Sequence, residues 1–295
     1  MLAKMNESSY NAHMKYAFAF LSFALLCSCQ RENADAPETP QAMYEKAQAL
    51  LNPNVENERS DYAGAMRWLM QSAEAGWLQA QLDLGGLYYA GGHEVNADAQ
   101  QSLKWFTRAA EQGSKEAEVF LGLLHYEGRL GQRDEKMALK HWREAASAGI
   151  AEGQYRLGRV LAQNEQTRKD GMDWLVKASS SVPQAATALG NLYYKYLEDA
   201  TTAAAWYEKG ALAGDPLAQH IFAEMLLLGN PVNKDNERGM AMLRMAAGQD
   251  YKPAMARLIN ILRNGKNAGE NENEAAAWDA RLQEILKAER APEQK

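Results

Sequence analysis

Along most of the chain, apolar residues recur at offsets of three and four, and each such stretch closes on a small or turn-forming residue. Ser102 to Gly128 shows the pattern most fully. Ser102, Trp105, Phe106, Ala109 and Ala110 fall at offsets 0, 3, 4, 7 and 8, one apolar stripe of an α-helix. Gly113 predicts the end of that helix, because glycine takes the left-handed C′ conformation at little cost. A second helical face runs through Ala117, Leu121, Leu124 and Tyr126, with Gly122 inside it. Glycine within a helix costs roughly 1 kcal/mol against alanine, so its place there predicts the close approach of a neighbouring helix.

The same unit is written again and again. Segments beginning at Ala65, Ser102, Ala138, Gly171, Ala203 and Gly239 align, and their fourth place holds Trp68, Trp105, His141, Trp174, Trp206 and Met242. Successive fourth places are 37, 36, 33, 32 and 36 residues apart. Between them lie Leu84-Gly85, Leu121-Gly122, Leu157-Gly158 and Leu189-Gly190, with Phe222-Ala223 and Leu258-Ile259 in the equivalent places. A small residue stands four positions before each: Ala80, Ala117, Gly153, Ala185, Ala218 and Ala254. Independent anchors keeping one period predict an all-α array of antiparallel helix pairs, in which each pair buries its apolar stripe against the next. The large residue of the fourth place is expected to fill the space between consecutive pairs. A buried Trp removes roughly 200 Å² from water, several kcal/mol at about 25 cal/mol/Å².

The fine pattern resembles the Sel-1-like repeat family, a relative of tetratricopeptide repeats. Ala80, Leu84, Gly85, Tyr88, Gly91, Val95, Asp98, Ser102, Trp105, Ala109, Ala110 and Gly113 fill that family's unit, and Val232, Asp235 and Gly239 repeat its loop signature. His141 and Met242 depart from it at the Trp place, and the loop from Gly128 to Glu135 lacks the Val. The resemblance implies a right-handed superhelical solenoid of about six to seven repeats over 41–290. The array opens with a helix over 41–51 and an irregular insertion over 52–61. A Gly/Asn/Glu loop over 264–274 leads to a polar capping helix over 275–290 that carries Trp278, and 291–295 form a disordered tail.

The N-terminal residues carry a different signal. Lys15 precedes an apolar run from Tyr16 to Leu26, too short for the roughly 20 residues a membrane-spanning helix needs but suited to a signal peptide. Leu26-Cys27-Ser28-Cys29 follows and resembles a bacterial lipobox, with small Ser28 before Cys29 as the residue to be acylated. Residues 1–29 are therefore read as a signal peptide with lipobox, the true start standing at Met14 or Met1, and 30–40 as a flexible tether. Gln30 after the cysteine leans toward the outer membrane, facing the periplasm. An ordinary signal peptide that happens to contain cysteines is the alternative.

Cleavage leaves no cysteine beyond the acylated Cys29, and it removes Lys4, Lys15 and Glu7. Lys plus Arg falls from 32 to 30 and Asp plus Glu from 38 to 37, a net charge of −7 that disfavours nucleic acid. The histidines, His13, His93, His125, His141 and His220, form no metal-binding spacing, and no nucleophile or phosphate-loop motif occurs. The chain is read as a non-enzyme with no cofactor and no metal.

A repeat solenoid offers an extended concave surface lined by one helix of each pair. Its candidate partner-binding residues are the large non-repeating ones on the Leu-Gly helices: Asp83, Phe120, Arg156, Arg159, Asn191, Lys195, Arg257 and Asn260. Phe120 and Arg156 are the first choices as anchors, being of the types that dominate interfaces. The resemblance implies a membrane-anchored periplasmic scaffold or adaptor, binding a protein partner of the cell envelope. It also leaves open an immunity lipoprotein that neutralises a type VI secretion effector of phospholipase type in the periplasm.

Overall fold

The computed structural model describes residues 38–51, 61–92, 95–265 and 271–290. The signal peptide, Cys29, most of the tether, the insertion after residue 51, His13, His93 and the tail lie outside the described residues. Fourteen helices are described, in seven successive pairs. These are α1 (Pro40–Leu51) with α2 (Tyr62–Glu74), α3 (Leu78–Ala90) with α4 (Ala99–Glu111), and α5 (Lys115–Tyr126) with α6 (Glu135–Ser147). There follow α7 (Ala151–Leu161) with α8 (Arg168–Ala178), α9 (Pro183–Tyr196) with α10 (Ala200–Leu212), α11 (Pro216–Leu228) with α12 (Asn236–Ala247), and α13 (Lys252–Asn264) with α14 (Glu272–Arg290). Each first helix packs most extensively on the helix that follows it, and successive first helices meet directly at α5 with α7 and at α9 with α11. The described residues contain no strand, and the fold is an all-α helical-repeat solenoid. Pro40 belongs to α1 rather than to the tether, and the last helix starts three residues before the expected Ala275.

Local chemistry explains why the pairs close. The Asp of the repeat is the N-cap of the second helix: Asp61, Asp98, Asp134, Asp199 and Asp235 each accept a bond from a backbone N–H of the first turn. Such a cap contributes about 1 kcal/mol. The backbone N–H of the same Asp donates back to the first helix, at the carbonyls of Leu50, Tyr88, His125, Tyr193 and Leu226. One bond therefore closes every one of these pairs, whether the span is Leu50 to Asp61 or only Tyr193 to Asp199. The turn to the next pair uses Gly76, Gly113, Gly149 and Gly214, at φ between 90° and 95°, where a side chain would be strained. In the fourth repeat that turn is one residue shorter, and Val182 takes its place at φ −118°.

The core has a second set of large residues beside the expected fourth place. The residue that fills the interior of each pair stands in the fifth. Leu69, Phe106, Trp142, Leu175, Tyr207 and Leu243 are all buried. Where the first helix carries a glycine, the residue sits against it: a Cβ on Gly85 would lie 2.7 Å from the Phe106 ring, and one on Gly190 2.7 Å from Tyr207. Trp142 occupies the same position over Gly122, and its indole N–H donates to the Val119 carbonyl at 3.1 Å. At the fourth place, Trp105 shares a cluster with Ala47, Leu69 and Ala73 of the preceding pair, while His141 meets Glu118 and His125 of its own first helix. Trp105 and Met242 are buried there, whereas Trp68, His141, Trp174 and Trp206 are half-buried. Cations cover the exposed faces, with Lys177 4.0 Å above Trp174, Lys209 5.0 Å above Trp206 and Lys46 4.7 Å above Trp68.

A polar device missing from the sequence reading joins the pairs. Buried Gln81, three residues before the Leu84 anchor, donates to the Ala73 carbonyl at the end of α2 (3.0 Å). Gln154 and Gln219 do the same to Ala146 and Ala211. Gln112 and Gln249 in turn donate to the side-chain oxygens of Gln81 and Gln219. The bonds recur in alternate pairs and tie each first helix to the pair before it.

Candidate protein-binding face

The eight candidate residues fall into two sets by their place relative to the apolar anchor. Asp83, Phe120, Arg156 and Arg257 directly precede it, and all four are half-buried and engaged within the chain. Asp83 accepts from Tyr44 of α1 and from Gln79, both at 2.9 Å. Burial pushes its carboxyl above the usual carboxylate range despite those two donors, and burial beside Asp83 raises the Tyr44 phenol as well. Phe120 stacks on Phe106 at 4.6 Å between ring centroids with planes 3° apart, and meets Tyr89 edge-on at 6.1 Å. Arg156 donates to Glu152 one turn earlier at 2.6 Å; burial opposes its charge, and Glu152 outweighs burial. Arg257 reaches Glu224 of α11 through two bonds, 2.6 and 3.2 Å. These residues tie their own and neighbouring helices together, so Phe120 and Arg156 are part of the packing as much as of the surface.

Arg159, Asn191 and Asn260 stand two residues after the anchor, with Lys195 a turn beyond Asn191, and all four are exposed. Arg159 reaches Tyr155, its hydroxyl at 3.4 Å and its ring centroid at 5.4 Å, and Lys195 lies 5.0 Å from the Tyr196 ring centroid. The Asn191 Oδ1 accepts from the Tyr207 hydroxyl at 2.7 Å; burial, with Tyr194 nearby, pushes that phenol up to about 12. Asn260 accepts at its backbone carbonyl from Asn264 at 3.1 Å.

Three of these four meet in one place. An open cleft of about 240 Å³ lies between α7 and α9, walled by Arg159, Asn191 and Lys195 over a floor that includes Leu175 and Leu192. Ala188, Gln163 and Tyr196 complete it and were not among the sequence candidates. Ala188 is the informative one. It directly precedes the Leu189 anchor, the place that holds Asp83, Phe120, Arg156, Ile221 or Arg257 elsewhere. A small side chain where the other repeats carry a large one was the available signal. Asn260 and the four engaged residues lie outside this cleft.

Among the described residues the histidines form no catalytic arrangement. His125 and His141 stack at 5.5 Å, and His141 Nδ1 lies 2.6 Å from Glu118 Oε2. Burial, then the neighbouring His141, lowers the His125 pKa, and burial lowers that of His220. Among the described residues no three His, Cys, Asp or Glu side chains are placed to hold a metal ion, and no helix is long and apolar enough to cross a membrane.

Paired helices with an Asp cap, a Leu-Gly anchor and a left-handed glycine turn define a helical-repeat scaffold, the class to which this molecule belongs. The Sel1 repeat family model matches residues 78–114, 115–150, 183–215 and 216–251, so the chain carries four Sel1 repeats. The unmatched pair between them is the one with the shortened turn. Comparison with curated proteins gives no match. Among solved structures, the chain is similar to a Sel1 repeat protein from Oxalobacter formigenes, with TM-score 0.69 and 22% identity over 82% of this chain and 99% of that one. It is also similar to a protective antigen present in uropathogenic Escherichia coli strains and displaying the same repeat fold. There the TM-score is 0.57 and the identity 22% over 87% of this chain and 66% of that one. An immunity protein from Pseudomonas aeruginosa matches with TM-score 0.52 and 17% identity, over 77% of this chain and 88% of that one. At these identities the likeness is one of fold. Sel1 repeat proteins are generally non-catalytic scaffolds for protein–protein interaction.

Proposed function

We propose that this protein is a lipid-anchored scaffold of the bacterial envelope, held through Cys29 in the outer membrane and facing the periplasm, which binds a protein partner across the face formed by its first helices. The observation that carries the reading is the division among the candidate residues. Half are spent on contacts within the chain, while Arg159, Asn191, Lys195 and Asn260 stand exposed along the same set of helices. Lipid anchoring rests on Leu26-Cys27-Ser28-Cys29 behind a short apolar run. A photo-activatable benzophenone side chain at position 191 or 260 is expected to give covalent adducts with envelope protein in growing cells. The same group at position 104, on a second helix where Lys104 lies 3.8 Å from Glu74, should give none. Adducts at 104 alone would place the partner on the opposite face. Fatty-acid labelling should mark the wild type and not Cys29→Ser; equal label in both contradicts the anchor.

A second reading is kept because one matched fold belongs to a protein named as an immunity protein. Here the partner is a delivered toxin of phospholipase type. The identity of the adduct separates the two: a secreted toxin supports immunity, a resident envelope protein supports the scaffold.

A further inference from the structure

We propose that the cleft between α7 and α9 takes an acidic segment of a partner protein, with a carboxylate held between Arg159 and Lys195 and a neighbouring apolar side chain on the floor. The proposal rests on reading the face of the first helices as the partner surface, and it adds the chemistry of what binds there.

Charge gives the first reason. The chain carries 38 acidic residues against 32 basic ones, yet this lining contains two cations and no carboxylate. Arg156 and Arg257 have carboxylate partners at 2.6 Å, whereas neither Arg159 nor Lys195 has one within 4 Å among the described residues. A third cation stands at the edge. Arg168 lies 4.1 Å above the Tyr196 ring, and its buried Nε has no hydrogen-bond partner.

Donor and acceptor balance gives the second. The Asn191 carbonyl oxygen is taken by Tyr207, which leaves its amide nitrogen as the group to offer a ligand. With the guanidinium and the ammonium, the wall thus presents donors, and a carboxylate is their acceptor-only complement. Size and floor give the third. At about 240 Å³ the cleft is smaller than the roughly 300–1,000 Å³ of pockets that enclose whole small ligands. It suits one or two side chains of a segment laid across the helices. Two cations over one recess do not form the basic stripe that nucleic acid requires, and a recessed apolar floor does not fit a flat lipid surface.

The test uses the purified full chain and a displayed library of random twelve-residue peptides. Enriched peptides should carry acidic residues beside an apolar one. Their binding should weaken at least about tenfold in Arg159→Glu/Lys195→Glu and equally in Ala188→Phe, which fills the cleft with the side chain that Phe120 supplies elsewhere. Lys140→Glu, on α6, should change nothing, and added salt should weaken the wild-type complex. Unchanged melting temperatures establish that the variants are folded; should Ala188→Phe unfold, the charge-reversed pair decides alone. Enrichment of neutral or basic peptides, no enrichment, or acidic peptides indifferent to the charge reversal overturns the proposal. So does tighter binding to phosphatidylglycerol vesicles, lost in the charge-reversed variant, than to any peptide. Adducts at position 260 without acidic-peptide binding would sink this proposal and leave the scaffold reading standing. Acidic-peptide binding without adducts in cells would do the reverse.

Discussion

The surface around Phe120 and the surface around Ala188 occupy the same place in two repeats, one residue before the apolar anchor, and do opposite things. At Phe120 a large ring lies flat on Phe106 and edge-on to Tyr89, so the groove is filled from within. At Ala188 the side chain stops at Cβ, and Arg159, Asn191 and Lys195 stand around an open recess. The backbone scaffold beneath is common to both: a buried fifth-place residue over a glycine, Phe106 on Gly85 and Tyr207 on Gly190. A repeat protein can therefore write a binding site by subtraction, leaving one position small while its repeated core stays whole.

The filled side of the comparison should break most severely at its core. Trp142→Ala removes a buried ring with a satisfied indole N–H and is expected to cost about 3–5 kcal/mol in a denaturant melt. Lys195→Ala, at the open side, should stay within about 0.5 kcal/mol. Equal losses would mean that the cleft is structural. The next largest effect is expected at Phe120→Ala. Half-buried and stacked, it should lose about 2 kcal/mol and open a second recess between its neighbours, visible as new binding of a small apolar dye. Gln219→Leu should cost about 1–2 kcal/mol, since it strips a buried bond from the Ala211 carbonyl and orphans Gln249.

The smallest effect is with pH. The folded-state pKa of His125 lies below its ordinary 6.5, so the folded state binds fewer protons than the unfolded one in that range. The stability this contributes is present above pH 6.5 and is lost as pH falls through the folded-state pKa. Between about pH 7.5 and pH 5 the wild-type melting temperature should drop, and His125→Gln should drop less. Identical drops would assign the effect elsewhere, with His220, also lowered by burial, as the next variant.

Much of this architecture is legible in the chain because the period repeats each constraint. The Asp that opens five of the second helices is a cap, and the glycine ending most of the segments is a left-handed turn, for reasons that act within a few residues. The distinction between fourth and fifth places was not legible. Trp105 and Phe106 are adjacent and both apolar, and only the neighbouring helices decide that one faces the preceding pair and the other its own glycine. The glutamines at 81, 154 and 219 were hidden for a related reason: a polar residue in a helix reads as solvated until its carbonyl partner on another helix is known. At the candidate face, size misled. Half of the large variable residues are engaged within the chain: Asp83 and Arg257 with residues on another helix, Phe120 with a stacked ring and Arg156 with Glu152 one turn earlier. The residue that opens the cleft is an alanine.

Amide hydrogen exchange of the full chain, with and without the envelope partner recovered through the adducts, tests the central claim most directly. The account predicts slowed exchange in α7 and α9, where Arg159 and Lys195 stand, with α8 and α10 unchanged. Protection confined to α8 and α10, with α7 and α9 exchanging as before, would contradict it.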